Sequence, residues 1–190
     1  FPRWIEGYHL TLLTIPWTGG VLAAGCLGRR SLHWLWLGSA MLVLQWFTDS
    51  FDGKLGRLRD TGIPRWGFYM DHFLDFLFMS AVFLAYALLL EPGAAFQMVL
   101  LMLLYDAMMV SSWLAFGATG RFKITFLGIG PTEIRLLFIL INTCLILFGV
   151  GWLVVALPWA LGVGLVLMCV IVARTQASIW RMDMDEKKNL

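Results

Sequence analysis

Long apolar runs, separated by short polar breaks, make up most of this sequence. Six of these runs approach the ~20 residues that a helix needs to cross the hydrocarbon core of a bilayer. None alternates like a membrane β-strand, and a backbone in lipid must satisfy its own hydrogen bonds, so the runs predict helices. The predicted spans cover about residues 10–27, 32–47, 66–90, 94–116, 133–149 and 158–173. The predicted fold is all-α, a polytopic membrane protein with six transmembrane helices in a single domain, residues 1–190.

Local signals refine the ends of these spans. Glu91-Pro92-Gly93 is a tight break between the third and fourth spans. Pro158 is expected to open the sixth span, and Thr132 to cap the N-terminus of the fifth. Residues 1–8 mix aromatic and charged side chains, which predicts a short interfacial helix on the cytoplasmic leaflet. The alternative for this segment is a disordered stub.

The composition supports a membrane protein. Of the 190 residues, 60% are hydrophobic and only 14% are charged. A soluble domain of this length has too much surface for such a composition. The composition therefore excludes a water-soluble enzyme, a disordered tail and a nucleic-acid-binding module.

The Lys and Arg residues divide unequally between the two sides of the bilayer that six spans define. With the N-terminus in the cytoplasm, only Arg29 and Arg30 of the 14 Lys and Arg residues fall on the outer side. The inner side receives the other twelve: Arg3, Lys54, Arg57, Arg59, Arg65, Arg121, Lys123, Arg135, Arg174, Arg181, Lys187 and Lys188. Short loops rich in Lys and Arg stay in the cytoplasm. The split predicts an even number of spans, with both termini cytoplasmic.

Four aspartates gather where the second span ends and the third begins. Asp49 and Asp52 are three residues apart, and Asp71 and Asp75 are four apart, so each pair shares one face of a helix. The loop between the two helices is short, and the four carboxylates can therefore converge at the cytoplasmic surface. Charges inside or beside a membrane segment are costly and indicate function.

Four carboxylates in one place repel each other and need positive charge. Either divalent cations or the arginines Arg57, Arg59 and Arg65 can supply it. Oxygen-only ligands suit hard cations such as Mg²⁺, Mn²⁺ or Ca²⁺, and two such ions ~4 Å apart can hold a diphosphate during an in-line displacement. The alternative is a structural network of salt bridges at the membrane edge.

Three glycines and an arginine stand beside these carboxylates. Gly53, Gly56 and Gly67 remove side chains there, which lets a flat or phosphorylated ligand approach closely. Arg57 can bind a phosphate through its fork of donors. The whole pattern therefore favours a nucleotide or diphosphate ligand.

This pattern resembles the signature of the CDP-alcohol phosphotransferases, D-x2-D-G-x2-A-R followed by G-x3-D-x3-D. The matching positions are Asp49, Asp52, Gly53, Arg57, Gly67, Asp71 and Asp75. Gly56 replaces the usual Ala, and nine residues separate Arg57 from Gly67, one more than expected. His9-Leu10-Thr11 stands where the family often has an Asn before a Thr. The arrangement of six spans, with the motif on spans two and three, is also similar to that family.

The resemblance implies that a CDP-linked alcohol gives its phosphoalcohol to a second alcohol and releases CMP. It implies two divalent cations, Mg²⁺ or Mn²⁺, with Ca²⁺ as a non-productive occupant. By that resemblance the four aspartates Asp49, Asp52, Asp71 and Asp75 are the metal ligands, and Asp75 is also the general base. The resemblance also implies that Gly53, Gly56 and Arg57 lie against the nucleotide, that a lipid substrate or product enters from the bilayer, and that the protein forms a homodimer.

Two residues resemble one branch of the family. Lys54 follows Asp52-Gly53, and His72 follows Asp71, as in the choline/ethanolamine phosphotransferases, which transfer from CDP-choline or CDP-ethanolamine to diacylglycerol. His72 could then assist or replace Asp75 as the base, and its alternative is a structural role. The alternative reaction is transfer from CDP-diacylglycerol to a polar alcohol of the glycerol phosphate, inositol phosphate or serine type.

A second polar segment precedes the fifth span. Arg121 and Lys123 lead to a helix start that carries Glu133 and Arg135, on the same side as the aspartates. A helix N-terminus with these cations suits a phosphate or a lipid headgroup, and simple anchoring to anionic lipid is the alternative. Asp106, within the fourth span, is expected either to pair with a polar neighbour or to approach the substrate cavity.

Two other classes of membrane protein use aspartates. An intramembrane prenyltransferase binds a diphosphate through Asp-rich motifs, but on well-separated helices of a longer chain. A cation transporter or channel lined by Asp needs neither the Asp-Gly pair nor Arg57, and its charges should run across the bilayer. Here the charges gather at one side.

Overall fold

The computed structural model describes residues 2–120 and 130–188, and its regular structure within these ranges is helical. A single turn of 3₁₀ helix, Leu32–Trp34, leads into the third α-helix. The α-helices are α1 (Gly7–Leu12), α2 (Thr14–Gly28), α3 (Leu35–Arg59), α4 (Pro64–Ala87), α5 (Pro92–Thr119), α6 (Pro131–Phe148) and α7 (Gly151–Lys188).

Five helical segments of the described chain are long and apolar enough to cross a membrane. They are Gly7–Gly28, Pro64–Ala87, Pro92–Thr119, Pro131–Phe148 and Gly151–Lys188. The remaining predicted span corresponds to α3, whose 25 residues give a length of about 37 Å. The C-terminal half of α3 carries the charged motif, and these charges lower the mean hydropathy of the helix. The prediction of an all-α polytopic protein is confirmed.

Several predicted boundaries are wrong. Pro158 does not open a helix, because α7 begins at Gly151 and contains it, as the neighbouring helices of a membrane bundle permit. The N-cap of α6 is Gly130, whose N–H donates to the Glu133 carboxylate at 2.8 Å, and not Thr132. Residues 2–6 are not helical, so the N-terminal helix begins only at Gly7.

The bundle is organised around α2 and α4. Helix α2 packs against α3 and α4, α4 against α5, α5 against α7, and α3 against α6. At the crossing of α2 and α4, a Cβ on Gly25 would lie only 2.6 Å from the Cα of Ala85. Small residues let two membrane helices approach this closely. Helices α3 and α4 share few contacts, so a cleft opens between them at the end where their connecting turn lies.

A buried polar chain joins three of these helices. The hydroxyl of Tyr86 donates to Asn142 Oδ1 at 2.8 Å, and Asn142 Nδ2 donates to Ser39 Oγ at 3.0 Å. Hydrogen bonds of this kind hold helices together where lipid offers no alternative partner. These hydrogen bonds fix α6 against α3 and α4, and they thereby set the position of the α6 residues near the cleft.

Candidate active site

The turn between α3 and α4 brings the two halves of the motif together. Asp60 ends α3 in the left-handed conformation, with φ of 54°, and Pro64 begins α4 at a helix position where proline is favoured. A Cβ on Gly56 would lie 3.1 Å from the Cα of Gly62. The close approach that Gly56 permits is therefore to the chain's own turn, at the edge of the cleft.

A cavity of about 300 Å³ opens beside this turn. Its lining comes from α1, α3, the turn and α4, and it contains seven of the residues predicted for the site: Asp52, Gly53, Gly56, Arg57, Gly67, Asp71 and His72. Gly67 faces open space, since a Cβ there would have no neighbour within 4 Å. A Cβ on Gly53 would lie 3.4 Å from a guanidinium nitrogen of Arg57. The glycines and Arg57 together form a cavity wall that carries one positive charge.

Helix α1 closes one side of this cavity. The Thr11 hydroxyl donates to Asp52 Oδ2 at 2.7 Å, and the Gly53 N–H donates to Asp52 Oδ1. A Cβ on Gly7 would lie 2.5 Å from the carbonyl oxygen of Asp52, so only glycine allows α1 to pack this closely on α3. Neither Thr11 nor Gly7 belongs to the predicted site residues.

The segment before α1 is held by Arg59, which is one of the arginines that could neutralise the aspartates. Its guanidinium donates to the carbonyl oxygens of Pro2 at 3.1 Å and Arg3 at 3.3 Å, and also to that of Ile5. Beside it, the Thr61 hydroxyl donates to the Glu6 carboxylate. Arg59 therefore attaches the N-terminal segment to the end of α3.

Asp49 and Asp75 lie deeper, on either side of Arg135 from α6. One guanidinium nitrogen, Nη2, is 3.1 Å from Asp49 Oδ2 and 3.2 Å from Asp75 Oδ1. The side chain of Arg135 is only 3% exposed. Gln45, which is 1% exposed, donates from Nε2 to the same Asp75 oxygen at 2.6 Å. The structure thus places Arg135 inside the carboxylate cluster, and it adds Gln45, which is not among the predicted site residues.

Asp71 and His72 connect the deep cluster to the cavity. Asp71 lies beside Asp49, close enough for the two carboxyl groups to interact. His72 Nδ1 lies 2.7 Å from the carbonyl oxygen of Phe68, which can only accept, so Nδ1 carries the proton. The same nitrogen is 3.6 Å from Asp71 Oδ2. The hydrogen bond to the Phe68 carbonyl oxygen orients the ring and leaves Nε2 as its basic nitrogen.

The carboxylates have the right chemistry for a hard cation, but they are not gathered around one point. Among the described residues, no three His, Cys, Asp or Glu side chains are close enough together to hold a metal ion. Oxygen ligands alone suit Mg²⁺ or Mn²⁺. The Arg135 guanidinium between Asp49 and Asp75 shows that this pair already accommodates a positive charge. The residues therefore fit divalent cations by donor type and charge.

The other predicted residues lie around this centre. Lys54 is exposed, with its ammonium 5.6 Å from the centroid of the Phe51 ring. Glu133 is used as the cap of α6. Asp106 accepts a hydrogen bond from Ser80 of α4 at 3.3 Å, which favours pairing with a polar neighbour. Arg121 and Lys123 lie outside the residues that the structure describes.

Comparison with known proteins identifies one family. The family profile described as CDP-alcohol phosphatidyltransferase matches residues 9–172, which include all of α2 to α6 and the whole motif. A search of curated proteins finds no significant match.

Proposed function

Because this chain belongs to the CDP-alcohol phosphatidyltransferase family, we propose that it transfers a phosphoalcohol from a CDP-alcohol to a second alcohol in the membrane and releases CMP. The observation that carries the proposal is that a cavity and a cluster of carboxylates lie next to each other. The cavity beside Gly53, Gly67 and Arg57 suits the nucleotide, and it adjoins the deep cluster of Asp49, Asp75 and Arg135. Membership of the family supports a transferase of phospholipid synthesis.

The donor is proposed to lie with its nucleotide in the cavity. Gly67 leaves room there for the base and ribose, and the Arg57 fork would bind a phosphate. Asp49, Asp52, Asp71 and Asp75 would hold two divalent cations, Mg²⁺ or Mn²⁺, at the diphosphate. When bound, such cations neutralise the diphosphate and make the phosphorus more electrophilic. The hydrogen bond from Thr11 holds the Asp52 carboxylate in the wall of the cavity, where the diphosphate would lie.

The acceptor hydroxyl is proposed to react beside Asp75. Its oxygen forms a new bond to the phosphorus, the bond between that phosphorus and the CMP oxygen breaks, and the proton passes to Asp75. Gln45 donates to Oδ1 of Asp75, and no side chain among the described residues holds Oδ2, which would accept the proton. A base must lie within hydrogen-bonding reach of the proton it removes, and this geometry presents one carboxylate oxygen for that purpose.

For the substrates, we favour CDP-choline or CDP-ethanolamine as donor and diacylglycerol as acceptor. The support is the resemblance at Lys54 and His72 to that branch, and His72 lies in the wall of the cavity. The alternative is transfer from CDP-diacylglycerol to a polar alcohol of the glycerol phosphate, inositol phosphate or serine type. Family resemblance also leads us to propose a homodimer, with both termini and the cavity on the cytoplasmic side.

The decisive experiment measures CMP release by the purified protein in lipid nanodiscs. CDP-choline, CDP-ethanolamine and CDP-diacylglycerol are each offered with diacylglycerol, glycerol phosphate, inositol phosphate or serine, in the presence of Mg²⁺ or Mn²⁺. Release that requires one donor and one acceptor identifies the reaction. If the folded protein releases no CMP from any pair, the proposed function is wrong.

Replacement of His72 by Ala tests the assignment of the base. We expect the variant to keep substantial activity and a pH profile close to that of the wild type, because Asp75 takes the proton. If His72 is the base instead, its loss should lower the rate by ~10²–10⁴-fold. CMP release is measured from pH 5.5 to 9, with thermal unfolding as the control for an intact site. A large loss of CMP release in a folded variant would identify His72 as the base.

Cysteine labelling tests the sidedness. In a background without Cys26, Cys144 and Cys169, single cysteines at Leu58 and Lys188 should react with an impermeant maleimide from the cytoplasmic side. A cysteine at Arg30 should react only from the opposite side, since the positive charges define the inner face. Leu58 is a suitable site because it is 85% exposed. Labelling of positions 58 and 30 from the same side would contradict the proposed topology.

A further inference from the structure

Arg135 occupies the place between Asp49 and Asp75 where a cation is needed. We propose that Arg135 is an internal counter-ion that competes with a divalent cation for these two carboxylates. In this view Arg135 is a positioning residue, which keeps Asp49 and Asp75 charge-balanced until a metal ion displaces it. This inference rests on the proposed function, in that it assumes that the aspartates bind metal.

The contacts of Arg135 differ from those of a purely structural ion pair. A structural arginine usually engages carboxylates through its fork, with its donors satisfied. Here both carboxylates share the single nitrogen Nη2, and Nε is buried without a hydrogen-bond partner among the described residues. The guanidinium thus contacts the carboxylates through Nη2 alone, and its Nε has no partner among the described residues. Breaking a contact of this kind should cost less free energy than breaking an ion pair whose donors are all satisfied.

The charges around Arg135 favour the exchange. Two carboxylates and one guanidinium leave a net charge of −1, whereas a divalent cation in the same place neutralises the pair completely. Asp71 adds a further carboxyl group beside Asp49. This excess of carboxylates favours the ion of higher charge.

Displacement would leave Arg135 with all its donors available. A guanidinium fork is well suited to a phosphate oxygen. The residue would then take the role of phosphate ligand that its position near the start of α6 suggests. The same side chain would hold the aspartates before the cation binds and a phosphate afterwards.

The experiment measures Mn²⁺ binding to the purified protein without substrate, from the electron paramagnetic resonance signal of free Mn²⁺. The variant Arg135→Gln should bind Mn²⁺ at least about tenfold more tightly than the wild type, because it removes a competing charge beside both ligands. Arg135→Lys keeps the charge and should remain closer to the wild type. Arg174→Gln is the matched control, since Arg174 is exposed on α7, and its affinity should be unchanged.

A structural role predicts the opposite result, because loss of the buried arginine would disorder the site and weaken Mn²⁺ binding. Equal or weaker binding by Arg135→Gln overturns the inference, and so does an absence of Mn²⁺ binding by both proteins. CMP release by the wild type is measured separately, so failure of the inference and failure of the proposed function are distinguishable.

A measurement on the wild type covers the case in which Arg135→Gln does not fold. Phenylglyoxal modification of Arg135, followed by mass spectrometry of its peptide, should be slow without metal and faster with Mn²⁺ as the guanidinium is released. Unchanged or slower modification with Mn²⁺ overturns the inference.

Discussion

Asp75→Asn should abolish CMP release, with a loss of at least about 10²–10⁴-fold. The carboxylate is proposed both to bind metal and to accept the proton, and an amide does neither. The variant keeps the shape of the side chain, but it places a neutral group against Arg135, which lies 3.2 Å away. The initial rate of CMP release at saturating donor and Mg²⁺ measures the effect. Asp49→Asn should behave in the same way, because Asp49 contacts the same nitrogen of Arg135.

The matched control is Asp106→Asn. Asp106 is a buried carboxylate in the same bundle, but it bonds to Ser80, whereas Asp49 and Asp75 contact Arg135. This variant should keep most of the activity. Excess chelator should reproduce the effect of Asp75→Asn in the wild type, and added Mg²⁺ or Mn²⁺ should reverse it. Full activity in excess chelator, or in the folded Asp75→Asn variant, would contradict the role proposed for the aspartates.

Gly25→Val should destabilise the whole bundle. A Cβ at Gly25 would lie 2.6 Å from the Cα of Ala85 and 2.8 Å from its carbonyl oxygen. Backbone atoms cannot rotate away as a side chain can, so α2 and α4 must separate. Overpacking of a core costs roughly 1–3 kcal/mol and occasionally more, and we expect this variant at or above that range. Thermal unfolding in detergent, followed by the loss of monodisperse protein, measures the effect.

Gly19→Val on the same helix is the control for this experiment. A Cβ at Gly19 has no neighbour within 4 Å, and the residue is exposed. It introduces the same side chain into the same helix, so it reports the change in helix propensity alone. Equal stability of the two variants would show that the crossing of α2 and α4 is not as close as described.

The parts of the fold that depend on local sequence were predictable. Apolar runs identify the spans because each must be long enough to cross a bilayer. The spacing of the aspartates places each pair on one helix face, and Asp52 and Asp71 do line one cavity. The full length of α3, which extends to Arg59, was not predicted, because the predicted span of residues 32–47 ends where the apolar character ends.

The contacts made by Arg135 and Thr11 could not be predicted. Arg135 reaches Asp75 across 60 residues of sequence, and Thr11 reaches Asp52 across 41. Such contacts depend on how α6 and α1 pack against α3, and no pattern within either segment encodes that. Gln45 did leave a signal, since it is a lone amide in an apolar span, one turn before Asp49 and on the same face.

The attachment of the N-terminal segment has a consequence for sequence variation. Arg59 binds the carbonyl oxygens of Pro2, Arg3 and Ile5, which every amino acid possesses. A library randomised at positions 2–5 should therefore yield many functional clones, whereas position 7 should accept glycine alone. Alignments of related sequences should accordingly show a variable stretch followed by one invariant small residue, which lines the cavity.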